Sequence, residues 1–267
     1  MFPVNVIGAL PPVDREINVG SVDGSSNTWR APEEAPVAFV YNRRNYAVML
    51  ATPQDIADYV VGFSLTERII EQSDDILSLD IINSDRGVDL RVQLTQERLE
   101  WFELRQRRRN LPGNAGCGVC GLENADEFFI ALPKVSDVKA SLDPKVIEKA
   151  FLHLSAQQPI NQRTRSVHAA AWVGFDGAIK QLREDVGRHN ALDKLLGALM
   201  LAQTDPKTGF VLLTSRCSYE LVEKAARYGV TAMASLSGPT NFALRKAVEA
   251  NMALYTRSPT GVVEILD

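Results

Sequence analysis

The strict alternation at the C-terminal end of the chain constrains the fold most. Phe210–Thr214 reads as a strand and Tyr219–Tyr228 as a helix ended by Gly229. Val230–Ser235 reads as a strand, Thr240–Ala250 as a helix and Met252–Thr256 as a strand, and Val262–Leu266 closes the chain. Apolar runs separated by amphipathic helices put neighbouring parallel strands into one sheet through right-handed crossovers. In open sheets of this kind, ligands bind beyond the carboxyl ends of the strands. Three segments meet there: Ser215-Arg216-Cys217-Ser218, Leu236-Ser237-Gly238-Pro239 and Arg257-Ser258-Pro259-Thr260-Gly261. They offer hydroxyls and two arginines. The first two lead into helix N-termini, whose free N–H groups suit phosphate. A phosphorylated or nucleotide-like ligand is the expectation, and simple helix capping by Ser and Thr is the plainer alternative.

The preceding chain divides by pattern. Residues 1–34 read as an extended segment with one strand, and residues 35–110 as a small N-terminal α+β domain. Strands Pro36–Tyr41 and Tyr46–Ala51 flank the turn Asn42-Arg43-Arg44-Asn45. Thr52-Pro53 carries an N-cap signal for a helix that Gly62 ends, with a second short helix over Phe63–Ile70. Leu77–Ile82 and Val88–Leu94 form a hairpin around Asp85-Arg86-Gly87. A helix over Gln96–Arg109 ends in Arg105, Arg107, Arg108 and Arg109, read either as a solvated helix end or as an anion-attracting patch. Residues 111–140 read as a mobile cysteine-containing loop and linker, and residues 141–267 as the C-terminal α/β domain. That domain opens with a helix from Asp143-Pro144, stopped by Gln157-Gln158-Pro159. A hairpin of Ala169–Phe175 and Ala178–Leu182 turns at Asp176-Gly177. Glu184-Asp185-Val186-Gly187-Arg188-His189 then leads into a helix that buries Ala191, Leu192, Leu195, Leu196 and Leu199.

Chemistry concentrates in Gly113-Asn114-Ala115-Gly116-Cys117-Gly118-Val119-Cys120-Gly121, which holds two of the three cysteines. Glycine visits conformations other residues avoid, so this stretch is a poor helix and a poor strand. A net charge of −4 argues against a nucleic-acid binder. No apolar run approaches a bilayer span, and Met1–Leu10 lacks the pattern of a secretory signal. An odd cysteine count without such a signal points to a reducing cytoplasm, where a CxxC pair is a thiol-chemistry or metal candidate. A structural zinc site wants four ligands and finds one pair here. A redox CxxC sits at a helix N-terminus after a strand, which fits this glycine-rich setting poorly. A third reading is a thiolate that accepts and hands on a group, its pKa lowered by the nearby arginines and a second thiol at hand to release the cargo. The Glu184–His189 segment and His168 are further candidates for ligand binding or proton transfer, or for satisfying buried backbone. His153 reads as a surface residue.

Two long motifs in order make a specific likeness. Gly116-Cys117-Gly118-Val119-Cys120-Gly121, then the run from Glu184-Asp185-Val186-Gly187-Arg188-His189 to Gly197, resembles the formate dehydrogenase accessory sulfurtransferases, the FdhD family. Gly62–Ile70, His168–Trp172 and Thr214–Glu220 support it, and the likeness covers residue 33 to the end. The resemblance implies a sulfurtransferase that takes persulfide sulfur from a cysteine desulfurase. It passes the sulfur to the molybdenum bis(molybdopterin guanine dinucleotide) cofactor for formate dehydrogenase. Cys117 is the implied persulfide carrier and Cys120 its assistant. Also implied are a cytidine-deaminase-like C-terminal α/β/α domain without deaminase zinc chemistry, no structural metal, and a homodimer. Cofactor contacts are expected from Arg257, Ser258, Pro259, Thr260, Gly261 and Val262, with Ser215, Arg216, Ser237 and His189. The family's Lys-Pro-Gly-Arg type loop is replaced here by Arg257–Val262, its Ser-Glu-Gly by Thr66-Glu67-Arg68, and the His before Glu-Asp-Val-Gly by Arg183. No nucleic-acid or membrane partner is expected. A chaperone that holds the cofactor without sulfur chemistry is the alternative. A nucleotide deaminase is disfavoured for want of its His-x-Glu and Pro-Cys-x-x-Cys pair.

Overall fold

The computed structural model describes residues 2–20, 26–108 and 130–266. Its N-terminal half is built on a five-stranded sheet of order β1-β6-β7-β4-β5. The strands are β1 (Val4–Ile7), β4 (Ala35–Tyr41), β5 (Arg44–Ala51), β6 (Ile76–Ser84) and β7 (Gly87–Leu94). A separate ribbon pairs β2 (Asp14–Gly20) with β3 (Ser26–Pro32). The leading segment therefore carries three strands rather than one. β1 joins the edge of the sheet beside β6, and Asp14, paired with Arg30 across the ribbon, ties the ribbon to Arg163. Both hairpins form where turn residues predict them. Asn42 and Arg43 take positive φ values of 46° and 70°, which suits the twist of a two-residue hairpin.

Helix α1 (Ile56–Thr66) covers the inner face of this sheet with α2 (Gln96–Arg108). Two expectations fail at α1. Thr52 does not cap it, because the chain turns through Asp55 before the helix begins. Gly62 does not end it, and no separate helix follows over Phe63–Ile70. Gly62 instead lies at the contact with α5 (Arg188–Leu201), where Gly197 faces it. A β-carbon on Gly62 would sit 1.7 Å from the Asp193 carbonyl oxygen, and one on Gly197 would sit 1.9 Å from that of Asp58. Two glycines let the helix backbones meet.

The C-terminal half carries α3 (Pro144–Leu154), α4 (Pro159–Thr164), β8 (His168–Gly174) and β9 (Ile179–Asp185) before α5. Then come β10 (Gly209–Arg216), α6 (Tyr219–Tyr228), β11 (Ala232–Ser237), α7 (Asn241–Ala250), β12 (Ala253–Ser258) and β13 (Gly261–Ile265). The six-stranded sheet runs β13-β12-β11-β10-β8-β9, and β10, β11 and β12 are parallel as the alternation requires. Its core divides by face: α5, α6 and α7 pack on one side and α3 on the other. Asp143 caps α3 by accepting from Lys145 N at 2.9 Å. Pro159 does not merely stop α3, because it begins α4. The supposed linker is anchored along its described part. Leu132 N donates to Glu249 Oε1 at 2.6 Å, Val135 N to the Ala250 carbonyl at 2.9 Å and Asn251 Nδ2 to the Ser136 carbonyl at 2.7 Å.

Helix α5 is buried all round from Asn190 to Leu199, because α1 covers the side that the six-stranded sheet leaves open. Among the described residues no helix is long and apolar enough to cross a membrane.

Candidate functional site

The run from Glu184 to Lys194 holds seven side chains able to do chemistry, and the fold uses five of them for itself. Glu184 accepts from Ile160 N at 2.9 Å and Asn161 N at 2.8 Å, holding the first turn of α4. Asp185 and Lys194 form an ion pair at 2.7 Å with neither side chain exposed. Asp185 also accepts from Thr52 N at 3.0 Å, Gly187 N at 2.8 Å and Asn190 Nδ2 at 2.9 Å. Lys194 donates to the Thr52 carbonyl at 2.8 Å, and Val186 N donates to the Thr52 hydroxyl at 3.1 Å. Asn190 reaches the Leu50 carbonyl and accepts from the Tyr59 hydroxyl, both at 2.8 Å. Asp193 pairs with Lys224 at 2.8 Å and accepts from the Thr66 hydroxyl. Thr52, read as a helix cap, is thus the peg on which the second half grips the first.

Arg188 and His189 remain. They open α5, whose N-cap Gly187 supplies no side-chain cap. Arg188 Nε and His189 Nε2 are buried without a hydrogen-bond partner among the described residues. His189 Nε2 stands 3.8 Å from Glu220 Oε2 on α6, a charge-pair distance and too long for a hydrogen bond. Burial pushes the Glu220 carboxyl up, but the neighbouring His189 and Ser218 and its own N–H outweigh that and bring it down to about 2. It is ionised at neutral pH.

The sheet supplies a polar floor beneath these helix starts. His168 lies two residues before Ala170 on β8, and Ser235 and Thr256 lie two residues after Met233 and Leu254 on β11 and β12, so they share the face covered by α5, α6 and α7. Thr256 donates to the Ser235 carbonyl at 3.2 Å. Among the described residues the Ser235 hydroxyl has no partner, although Ser235 is only 1% exposed. Burial, with Arg188 and His189 behind it, holds the His168 imidazole below its ordinary value.

Six buried side-chain nitrogen or oxygen atoms lack a partner among the described residues. Four of them, on Arg188, His189, Ser218 and Ser235, belong to this edge. Each costs roughly 1–3 kcal/mol if left empty, so their concentration makes this edge the candidate ligand site. Ser218 precedes α6 without capping it, whereas Thr240 does cap α7 by accepting from Ala243 N at 3.2 Å. The plainer capping alternative therefore accounts for α7 and not for α6.

A model described as the FdhD/NarQ family matches residues 32–265. The chain belongs to the FdhD/NarQ family. A Cupriavidus necator protein named sulfur carrier protein FdhD is 44% identical over 233 residues, covering 86% of this chain and 80% of that one. Its namesake in Xanthomonas euvesicatoria pv. vesicatoria is 43% identical over 221 residues, covering 83% of this chain and 78% of that one. The Bordetella petrii protein of that name is 40% identical over 235 residues, with 88% and 84% covered. The crystal structure of a formate dehydrogenase accessory protein from Desulfotalea psychrophila matches with a TM-score of 0.70 over 95% of this chain and 96% of that one. At 21% identity that likeness bears on the fold alone.

The two motifs that carry the resemblance differ in how far the structure describes them. Cys117 and Cys120, with Arg109 and the rest of the cysteine stretch, lie outside the described residues. Cys217 is described and is no candidate nucleophile: it is 2% exposed and burial pushes its thiol up to about 12. Among the described residues no group of three His, Cys, Asp or Glu is placed to hold a metal ion.

The expected cofactor contacts fall on the same edge at different depths. Arg216 and Ser237 are register partners on β10 and β11, both exposed. Ser215 is buried and donates to the Arg216 carbonyl at 2.9 Å. Arg257 through Val262 form the tight β12–β13 hairpin. Within it Ser258 Oγ donates to the Gly261 carbonyl at 2.7 Å and meets Thr260 Oγ1 at 3.0 Å. Arg257 is exposed beside it. Sequence reasoning missed Arg188 and Ser235 as individual groups. A serine at the last buried position of an apolar strand was the available signal.

Proposed function

We propose that this FdhD/NarQ family protein is a sulfur carrier for formate dehydrogenase maturation, with Cys117 as the carrying thiol. Relatives 40–44% identical that bear the name sulfur carrier protein are the observation that carries the reading. The pair Cys117 and Cys120 supplies the chemistry. The Cys117 thiolate attacks the outer sulfur of a cysteine desulfurase persulfide. A new S–S bond forms on Cys117 as the donor's S–S bond breaks, and the donor cysteine leaves as thiolate. Release runs in reverse sense: the Cys120 thiolate attacks the inner sulfur of the Cys117 persulfide. A Cys117–Cys120 disulfide forms and hydrosulfide departs to the acceptor, after which cellular thiols reduce the disulfide.

The acceptor in this reading is the molybdenum bis(molybdopterin guanine dinucleotide) cofactor, held as substrate at the carboxyl edge of β10, β11 and β12. Unpartnered donors at the starts of α5 and α6, with Arg216 and Arg257 at the rim, support it. Two antiparallel strands followed by three parallel ones, with helices on both faces, support the cytidine-deaminase-like reading of the C-terminal half. A homodimer working in the cytoplasm completes the proposal.

Mass spectrometry tests it directly. After incubation with a desulfurase and cysteine, the Cys117 peptide gains one sulfur atom. Cys117→Ala then abolishes formate dehydrogenase activation while the protein stays folded, and Cys120→Ala is the milder change. A protein that binds the cofactor yet never gains sulfur is a holding chaperone, and the carrier role falls.

A further inference from the structure

The last turns of α2 stand beside the tip of the β4–β5 hairpin. Leu94 N donates to Asn42 Oδ1 and Asn42 N to the Val92 carbonyl, both at 2.9 Å, which pins that tip to the strand leading into α2. Arg44 pairs with Glu103 on α2 at 2.7 Å, yet its side chain stays 50% exposed. Arg43 is exposed and sits at φ 70°, a turn position that favours glycine. Residues 42–45 and 103–108 together hold five arginines, one acid and no lysine, on a chain whose net charge is −4. Trp101, Leu104, Arg105 and Arg108 follow the i, i+3, i+4, i+7 spacing of one helix face, and Leu104 is 60% exposed on it.

Cations in a last turn complement the helix dipole, which accounts for Arg105, Arg107 and Arg108. It does not account for Arg43 and Arg44, which a different element brings to the same corner. A small anion would meet the charges and leave Leu104 in water. A protein surface covers both, and interfaces favour arginine and aromatic residues over lysine. The sign of the charge selects an acidic surface.

We infer that this corner docks an acidic surface of the protein that donates sulfur. The inference rests on the sulfur-carrier reading proposed above and names the face that receives the donor. Cys117 follows Arg108 by nine residues, so its Cα can lie no farther than about 32 Å from the helix end. A donor seated on the corner is therefore within reach of the carrying thiol. The cofactor that takes the sulfur belongs, in that reading, to the other sheet.

Loading of Cys117, followed by quenched-flow mass spectrometry on the full chain, tests the assignment with two sulfur donors. One is the cysteine desulfurase of the same cell, supplied with cysteine. The other is cysteine persulfide, from which the Cys117 thiolate takes the outer sulfur while cysteine leaves as thiolate. The triple variant Arg43→Gln, Arg44→Gln, Arg108→Gln is expected to load from the desulfurase roughly 10-fold more slowly at low salt. The gap closes towards 1 M salt, where charges are screened within about 3 Å. Leu104→Ala slows the same step at every salt concentration. Both variants load from cysteine persulfide at the wild-type rate, which shows that fold and thiol are intact. Unchanged loading from the desulfurase overturns the inference. So does an equal slowing with both donors, which would place the arginines at the thiol instead of the partner. Wild-type protein that gains sulfur from neither donor brings down the sulfur-carrier reading as well.

Discussion

Gly62→Ala sets two effects of opposite sign against each other. In an isolated helix, alanine is favoured over glycine by about 1 kcal/mol, so propensity predicts stabilisation. Packing predicts the reverse. The new β-carbon would stand 1.7 Å from the Asp193 carbonyl oxygen, 2.5 Å from its carbon and 2.9 Å from Gly197 N. Comfortable contact needs about 3.5 Å, so α1 and α5 have to part by roughly 1.5–2 Å. All three clashing atoms are backbone, so no side chain can swing aside. Overpacking of this kind costs about 1–3 kcal/mol, and the rigid surroundings place it at the upper end. The net expectation is destabilisation by about 2 kcal/mol, read as a lower midpoint in urea unfolding at unchanged slope. Gly20→Ala is the control: nothing lies within 4 Å of its added carbon, and its midpoint stays near wild type. A Gly62→Ala protein as stable as wild type, or more so, would refute the close helix contact.

Lys194→Met leaves the buried Asp185 carboxylate without its cation, which costs about 3–5 kcal/mol when nothing else satisfies it. Three donors remain on Asp185, so denaturant titration should give the lower end, and Asp185→Asn added to Lys194→Met should recover part of it. Acid acts in two separate windows. His168 is held below its ordinary value of 6.5, so the unfolded chain takes up the proton first and stability declines as pH falls below 6.5; His168→Asn flattens that part of a stability–pH curve. Glu220 is held at about 2 against an ordinary 4.5, so its contribution is complete above 4.5 and is lost between there and about 2. Glu220→Gln makes the second decline shallower, the remainder belonging to Asp14 and Glu223, which, despite burial, their arginine partners also hold below the ordinary carboxylate range; a decline of unchanged depth would refute the role of Glu220.

Elements held by local pattern were readable from the chain, and elements held by distant partners were not. The alternation from Phe210 onward forms its parallel strands because each apolar run is too short for anything else and each helix has its own stop, such as Gly229 with φ 93°. Thr52-Pro53 carries a sound capping signal that loses to Asp185, whose carboxylate holds the Thr52 N–H. Gly62 carries a stop signal that loses to a helix crossing invisible without Gly197. The strands near the N-terminus lack buried periodicity, since Val4, Val6 and Ile7 remain exposed on the outer edge. At the site, the whole Glu184–His189 segment looked chemical, because acids and histidines in sequence do not reveal which are already bonded. The contacts show that the acids serve the fold. Arg188, His189 and Ser235 stand out only once their missing partners are visible.

The glycine contact between α1 and α5 also orders the birth of the protein. Helix α1 leaves the ribosome with the strands it covers, but the face around Gly62 has nothing to rest on until residues 188–201 have been made. The peg at Thr52 waits for the same stretch. The first half is therefore synthesised as an open sandwich, with the Leu50 carbonyl, the Thr52 N–H and the Tyr59 hydroxyl still without their partners through the making of the cysteine stretch and α3. Completion comes as one late closing step around α5, and a chain stopped before that helix is a substrate for proteases rather than a working half.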